Sequence, residues 1–458
     1  MPALKNVNCC WEPALSGRLA AEALKKALLV ADRLSLVERV EQAAAEALRE
    51  TTLPRGTHWI PYSMAQGYTG LALLWSYLDA CRPGEHWDRV GREHLQLAAR
   101  DAAGYSQLPI GLFSGLSGLA FATWQLSRSG SRYQRLLAEF DDVIAPRSLA
   151  SARNIHRHHG MNVGEFDAIS GLSGVGAYLL CRRNEPAISE ALHVVIEALV
   201  ELCLDDTPPF RWHTPCELVG DGRMAEVYPY GNLNLGLAHG IPGPLAFLAL
   251  AHLAGSAAPG LTEAIAHAAG WISQQRFDDE WGVNWPTAVP LVSQHDNGSS
   301  TLVPASPTDA PDGPSRCAWC YGSPGIARSL LLAGEALDRD DLRELAVSAM
   351  QAVFRRPIAK RHINSPTFCH GVAGLLSVAL RFRHDLGDGL FSGEISKLVE
   401  QILGHFQPDS LLGFRNMEIG DHEIEQPGLL DGAPGVALVL LAASTGVEPT
   451  WDRLFLLS

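Results

Sequence analysis

The 458-residue sequence has no apolar run long enough to cross a bilayer. Its most apolar stretches, Pro244 to Ala254 and Gly435 to Ala443, fall well short of the 18 or so residues that a span needs. It also lacks a basic excess. With 36 Lys and Arg against 50 Asp and Glu, a net charge of −14, there is no phosphate-neutralising surplus, and nucleic acid is excluded as an expected partner. Charged residues make up only 19% against 47% hydrophobic, a balance that rules out a disordered or fibrous chain. The nine cysteines are an odd number, and Met1 leads into Cys9-Cys10-Trp11 through no apolar signal segment. The expected compartment is therefore a reducing cytoplasm, and the expected protein is not transmembrane.

What the sequence does have is repetition. A Gly-x-x-Gly followed by an apolar stretch starts at Gly67, Gly115, Gly171, Gly240, Gly322, Gly371 and Gly432. The mean spacing of about 61 residues accommodates two helices and their connections. The stretches after each second glycine, such as Leu119 to Trp124, are apolar nearly all round and predict buried helices. Amphipathic segments between them, such as Leu36 to Leu48 and Leu342 to Phe354 with charged Arg343 and Glu344, predict an outer, solvated layer. About fourteen helices in two concentric rings make an all-α protein, an α/α toroid of seven helical hairpins. Residues 1–60 are expected to form an N-terminal helical segment of the outer ring, and residues 61–458 the seven-repeat toroid. An open solenoid is the alternative, but it needs a polar last repeat, and this one ends in Val436 to Leu441. The motif glycines are expected to supply φ > 0 and close approach. Two connections exceed the repeat pattern. Residues 277–315, with Trp281 and Trp285, read as an irregular insertion, and residues 208–234, with Phe210, Trp212, Tyr228 and Tyr230, as short strands.

If the inner helices start at equivalent places, the residues before each first glycine share one rim. They are Gln66, Ser114, Ser170, His239, Tyr321, His370 and Asp431. One position earlier, cysteine occurs only in the adjacent fifth and sixth repeats, as Cys320 and Cys369. With His370 these make a Cys₂His set, which suits Zn²⁺ and leaves a fourth position open. The bland alternative is a pair of buried structural thiols. Cys317 forms a C-x-x-C with Cys320, which is a redox pair or a fourth ligand in other settings, but no βαβ alternation surrounds it. The cluster His156, His158, His159 lies in a polar connection with Arg153 and Arg157 and reads as a solvated loop. Asp167 is either a helix cap or, beside His239, the partner of an acid/base group. Arg316 is a fixed cation suited to a carboxylate or a developing oxyanion. A metal hydrolase would need a carboxylate base, for which Asp431 is the rim candidate.

These motifs resemble those of the lanthipeptide cyclase (LanC-like) family: Asp167 to Gly174, Leu237 to Gly243, Arg316, Trp319 to Gly325 and Cys369-His370-Gly371. The resemblance spans nearly all of the chain beyond residue 60. It implies an α-toroid whose zinc ligands are Cys320, Cys369 and His370, with further active-site residues Asp167, His239, Arg316 and Tyr321. The implied activity is a zinc-dependent addition of peptide cysteine thiolates to dehydroalanine or dehydrobutyrine, closing thioether rings. The implied partners are a dehydrated precursor peptide, leader plus core, and a dehydratase, the cytoplasmic complex being free or membrane-associated. Two other readings stay open: a LanC-like zinc scaffold that binds peptides or glutathione without cyclising them, and a zinc thiol-alkylating enzyme of the prenyltransferase type.

Overall fold

The computed structural model describes residues 10–53, 56–128, 130–155, 157, 159–220, 222–296, 299–311, 315–387 and 389–458. His156 and His158 lie outside the described residues, as does the segment up to Cys9; His159 is exposed.

Seven inner helices follow the glycine motifs: α3 (Tyr68–Cys81), α5 (Leu116–Leu126), α7 (Leu172–Cys181), α10 (Pro242–Leu253), α12 (Ser323–Leu337), α14 (Val372–Leu386) and α16 (Ala433–Ser444). Their nearly uniform apolarity fits burial on every side; in α16 every residue from Ala433 to Ala443 is buried. Proline in the first turn of α10, α12 and α16 fixes φ where no intrahelical donor is needed. Around them stand α1 (Gly17–Leu34), α4 (Trp87–Ala102), α6 (Gln134–Ile155), α8 (Pro186–Cys203), α11 (Leu261–Gln274), α13 (Asp340–Arg355) and α15 (Ser392–Gly404). These bury one stripe each. In α13 that stripe is Leu342, Ala346, Ala349, Met350 and Val353, with Glu344 exposed. Arg343 departs from the solvated role expected of it. Its side chain is largely buried between α12 and α13, paired with Glu335, Asp338 and Asp340.

The two rings close into a toroid rather than an open solenoid. Helix α1 packs on α16 and α15, and the segment before it is stitched to the end of α16. There the Trp11 indole donates to the Ala442 carbonyl (2.9 Å) and Ala14 N–H to Ala443 (2.9 Å). A second closure runs around the rim. N–H groups donate to the next repeat's carbonyl from Ala65 to Phe113 (3.0 Å), Phe113 to Ile169 (3.0 Å), Ala168 to Ala238 (3.1 Å) and Ala238 to Cys320 (3.2 Å). The circuit continues from Cys320 to Cys369 (3.3 Å), Cys369 to Leu430 (2.9 Å) and Leu430 back to Ala65 (3.3 Å). Each rim loop is thus held in register with both neighbours.

The motif glycines serve this arrangement through size. A Cβ on Gly70, Gly118, Gly174, Gly325, Gly374 or Gly435 would lie 2.1–2.4 Å from the carbonyl oxygen six residues earlier, inside the same rim loop. Of the fourteen motif glycines only Gly322 (φ +102) has the left-handed backbone expected of them all.

The toroid's interior is plugged. A 3₁₀ turn at Thr450–Phe455 carries Phe455 between the repeats, its ring stacked on Phe368 (centroids 3.8 Å) and edge-on to Trp319 (5.0 Å). The Trp319 indole donates to the Phe455 carbonyl (3.0 Å), and the buried Arg328 guanidinium to that of Leu457 (2.9 Å).

The insertions are more ordered than expected. Residues 277–315 contain two hairpins, β2 (Phe277–Asp279) with β3 (Gly282–Asn284) and β4 (Ala288–Asp296) with β5 (Ser299–Pro304). The first insertion adds β1 (Asn232–Asn234) antiparallel to β4, with Leu233 opposite Val289, so both insertions share one sheet. Period-two burial of Val289 and Leu291 drives β4, a pattern that Pro290 and the polar flanks mask in the sequence. A hairpin of β6 (Arg415–Glu418) and β7 (His422–Glu425) was not anticipated. It packs against α2 (Val37–Glu50), and the Glu418 carboxylate accepts from the Thr51 hydroxyl (2.6 Å) and the Thr52 N–H (2.7 Å). A short helix, α9 (Gly222–Val227), completes the first insertion.

Candidate metal centre

The backbone circuit decides where the rim side chains stand. Because Cys320 donates its N–H to the Cys369 carbonyl, and Cys369 to Leu430, repeats five, six and seven present consecutive residues in one place. The Cys369 thiol donates to Cys320, which pulls Cys320 down to about 6 against the opposing effect of burial, with the nearby His370 and Arg316 charges helping. Cys369, the donor, is pushed well above 9 by the same bond and by burial. One sulfur of the pair therefore carries negative charge readily. Beside it, Cys369, His370 and Asp431 offer a sulfur, a ring nitrogen and a carboxylate oxygen all within 4.8 Å of one another. His370 Nδ1 stands 3.4 Å from Asp431 Oδ1. This cluster holds one thiol, an imidazole and a carboxylate oxygen, Asp431 Oδ1, that is buried with no hydrogen-bond partner among the described residues; Cys320, expected as a ligand, falls outside the 4.8 Å cluster and adjoins it through its bond with Cys369, and these donor types suit a borderline-soft ion such as Zn²⁺. The residues fit the metal.

A second group faces the first. The Asp167 carboxylate is buried, and its Oδ1 accepts three backbone N–H bonds, from Ile169 (3.0 Å), Ser170 (2.7 Å) and Gly171 (2.8 Å). That is the cap expected of it, yet it uses only one oxygen. Oδ2 accepts from His239 Nδ1 (2.7 Å). Burial drags His239 down, but the hydrogen bond and charge of Asp167 outweigh it and leave the imidazole above its ordinary 6.5. The His239 side chain keeps 36% of its surface exposed, so Nε2 is left for chemistry. Tyr321 packs near it (ring centroids 6.1 Å), its hydroxyl accepting from Asn234 Nδ2 (3.0 Å). Burial first, then the neighbouring thiols and Asp167, raise Tyr321 and keep it a neutral phenol.

His239, Tyr321, Asn234 and Arg316 line a cavity of about 1040 Å³. Its far walls are apolar and come from the added segments: Leu218 and Met224 from the first insertion, Ile419 from the β6–β7 turn. Arg316 is exposed and forms no ion pair with another described residue, leaving a cation near the thiols. Cys317 stands apart from the donor group, its buried sulfur accepting from Arg356 Nη1 (3.1 Å).

The family described as "Lanthionine synthetase C-like protein" matches residues 58–456. The chain belongs to the lanthionine synthetase C-like family. "Nisin biosynthesis protein NisC" of Lactococcus lactis subsp. lactis is 25% identical over 400 residues, covering 86% of this chain and 88% of that protein. The solved structure titled "Nisin cyclase" superposes with a TM-score of 0.71 at 22% identity, over 92% of this chain and 97% of that one. That likeness carries the toroid.

Within this lanthionine synthetase C-like chain, sequence reasoning named seven site residues, and the structure sets them in two facing groups plus the solitary Arg316. Asn234 was missed for want of any motif at its position. Asp431 was weighed only as a base for hydrolysis, although its place before Gly432 matches that of His370 before Gly371. No helix among the described residues is long and apolar enough to cross a membrane.

Proposed function

We propose that this protein is a zinc-dependent lanthipeptide cyclase, adding cysteine thiolates of a dehydrated precursor peptide to dehydroalanine or dehydrobutyrine in the same peptide. The observation that carries the reading is the presence of two unlike groups on one rim: the Cys369–His370–Asp431 cluster with Cys320 bonded to Cys369, and the Asp167–His239 couple. Cys320, Cys369 and His370 would hold zinc, which when bound supplies a Lewis-acidic centre that favours a cysteine sulfur as its thiolate.

The residues account for the proton. Addition forms one C–S bond, breaks one C=C π bond and transfers one proton from sulfur to Cα, so nothing is consumed. His239 Nε2 takes the thiol proton and returns it to the enolate carbon, while Asp167 holds Nδ1–H and stabilises the imidazolium between the two transfers. Arg316 stabilises the enolate oxygen, and Tyr321, held through Asn234, positions the peptide. Arg316 and Tyr321 rest on their place in the cavity wall. A dehydratase that prepares the peptide is the partner class this reaction requires.

Ring closure leaves the mass unchanged, so the assay is loss of thiols able to react with an alkylating reagent. Purified protein with about one zinc per chain, incubated with dehydrated precursor, is expected to abolish alkylation; Cys320→Ala and Cys369→Ala are expected to lose both zinc and activity. Zinc that survives both substitutions defeats the proposal.

A further inference from the structure

We propose that the cavity beside His239 selects its peptide by aliphatic residues next to the reacting cysteine, received by two apolar lips: Leu53 with Ile419, and Leu218 with Val163. The inference rests on the cyclase reading above and deepens it, since that reading leaves open what the peptide carries around its cysteine.

Three observations carry it. Leu53 (42% exposed), Leu218 (39%) and Ile419 (68%) are large aliphatic side chains left in water, and all three line the cavity that also holds His239 and Tyr321. Apolar surface gathered in this way marks a binding site.

Both lips are also fixed in place. The buried Glu418 carboxylate accepts from the Thr52 N–H (2.7 Å) and the Thr52 hydroxyl (2.7 Å), which ties the β6–β7 hairpin to the end of α2. Ile419 and Leu53 are the residues that follow those two partners, so one bond brings both to the cavity. The Asn162 side chain caps the 3₁₀ turn Val163–Glu165 and donates to the Leu218 carbonyl (2.9 Å). The Asp167 N–H donates to the Val163 carbonyl (2.9 Å). Leu218 and Val163 are thus mounted on the loop that carries the Asp167–His239 couple.

The third observation is capacity and charge. At about 1040 Å³ the cavity lies at the top of the ~300–1,000 Å³ range of sites that take a whole drug-sized ligand, so residues flanking the two that react must enter with them. No Asp or Glu is among the described residues that line it, although the chain carries a net charge of −14. A basic neighbour finds no partner there and meets Arg316, and a neutral polar one gives up its hydration against aliphatic walls. Aliphatic neighbours lose nothing. In a precursor with several cysteines, the rings flanked by aliphatic residues are therefore the first to close.

The test compares two dehydrated precursors, leader attached, that differ only in the residues flanking one cysteine: Leu in the first, the similarly shaped Asn in the second. Full-length zinc-loaded protein is given both in competition, thiol loss supplies the ratio of kcat/KM, and separate progress curves divide it. The ratio is expected to favour Leu at least about tenfold, through KM and with kcat within about twofold. Leu218→Ser combined with Ile419→Ser is expected to bring the ratio below about threefold with zinc content and melting temperature retained, since both side chains are exposed. Equal rates for the two precursors in wild type overturn the inference without recourse to any variant, and so does a preference that the double variant keeps. If neither precursor loses thiols faster than in protein-free buffer, the cyclase reading falls and takes this inference with it.

Discussion

Asp167→Asn is expected to remove proton transfer while leaving the metal and the fold in place. The two carboxylate oxygens have different duties. Oδ1 accepts three backbone N–H bonds, so an amide at this position keeps its oxygen there and puts Nδ2 where Oδ2 was, facing His239 Nδ1. An amide nitrogen only donates. His239 Nδ1 must then accept, the ring proton moves to Nε2, and the nitrogen that should take the thiol proton is already occupied. Loss of a positioned acid/base lowers the rate by about 10²–10⁴-fold, or about 3–5 kcal/mol of barrier. The pH profile is a second signature. Asp167 holds His239 above its ordinary value against burial, so without the carboxylate the imidazole falls and the acid limb of kcat/KM moves to lower pH. The assay is thiol loss from dehydrated precursor across about pH 5–9, with zinc content and melting temperature measured on the same preparations. A variant that keeps zinc and the full rate refutes the role given to His239. Loss of zinc along with activity refutes the separation of the two groups.

Cys317→Ala is expected to retain zinc, because its sulfur is engaged by Arg356 outside the donor group; metal analysis decides. Phe455→Ala removes the ring stacked between Phe368 and Trp319 and is expected to destabilise the protein by about 3–5 kcal/mol in urea unfolding; a change under about 1 kcal/mol would mean the plug is dispensable. His94, fully buried beside Trp75, is held at about 4 by burial. Above about pH 6.5 neither the folded nor the unfolded state protonates it; as pH falls from there toward 4 only the unfolded chain gains the proton, and stability drops by up to about 3 kcal/mol. His94→Phe should flatten that slope in urea midpoints measured between these limits, and an unaltered slope would assign the acid sensitivity elsewhere.

The repeats were legible because glycine is irreplaceable where a loop carbonyl presses on the first helical turn, a constraint that marks Gly118 or Gly374 regardless of the outer sequence. That Cys369 and His370 stand together on the rim was legible through that same register. Asp167 was readable as a cap, but the division of labour between its oxygens was not, since partners 72 residues apart leave no local pattern. The β1–β4 pairing joins two insertions whose strands are short or interrupted by Pro290, and period-two signals of three residues cannot be told from loop. The Phe455 plug follows from packing alone. Its residues carry the same apolar character as any core segment.

The circuit of backbone bonds around the rim has a consequence for how the chain is made. A linear array of hairpins can fray from either end, each repeat melting with only one neighbour to lose. Here Leu430 hands its hydrogen bond back to Ala65, and α1 completes the last repeat, so there is no end from which to fray. During synthesis α1 must wait for α16, which starts more than 400 residues after it, to cover its apolar stripe. Assembly should therefore finish in a single late closure, with α1 docking and the rim circuit joining only once α16 has been made.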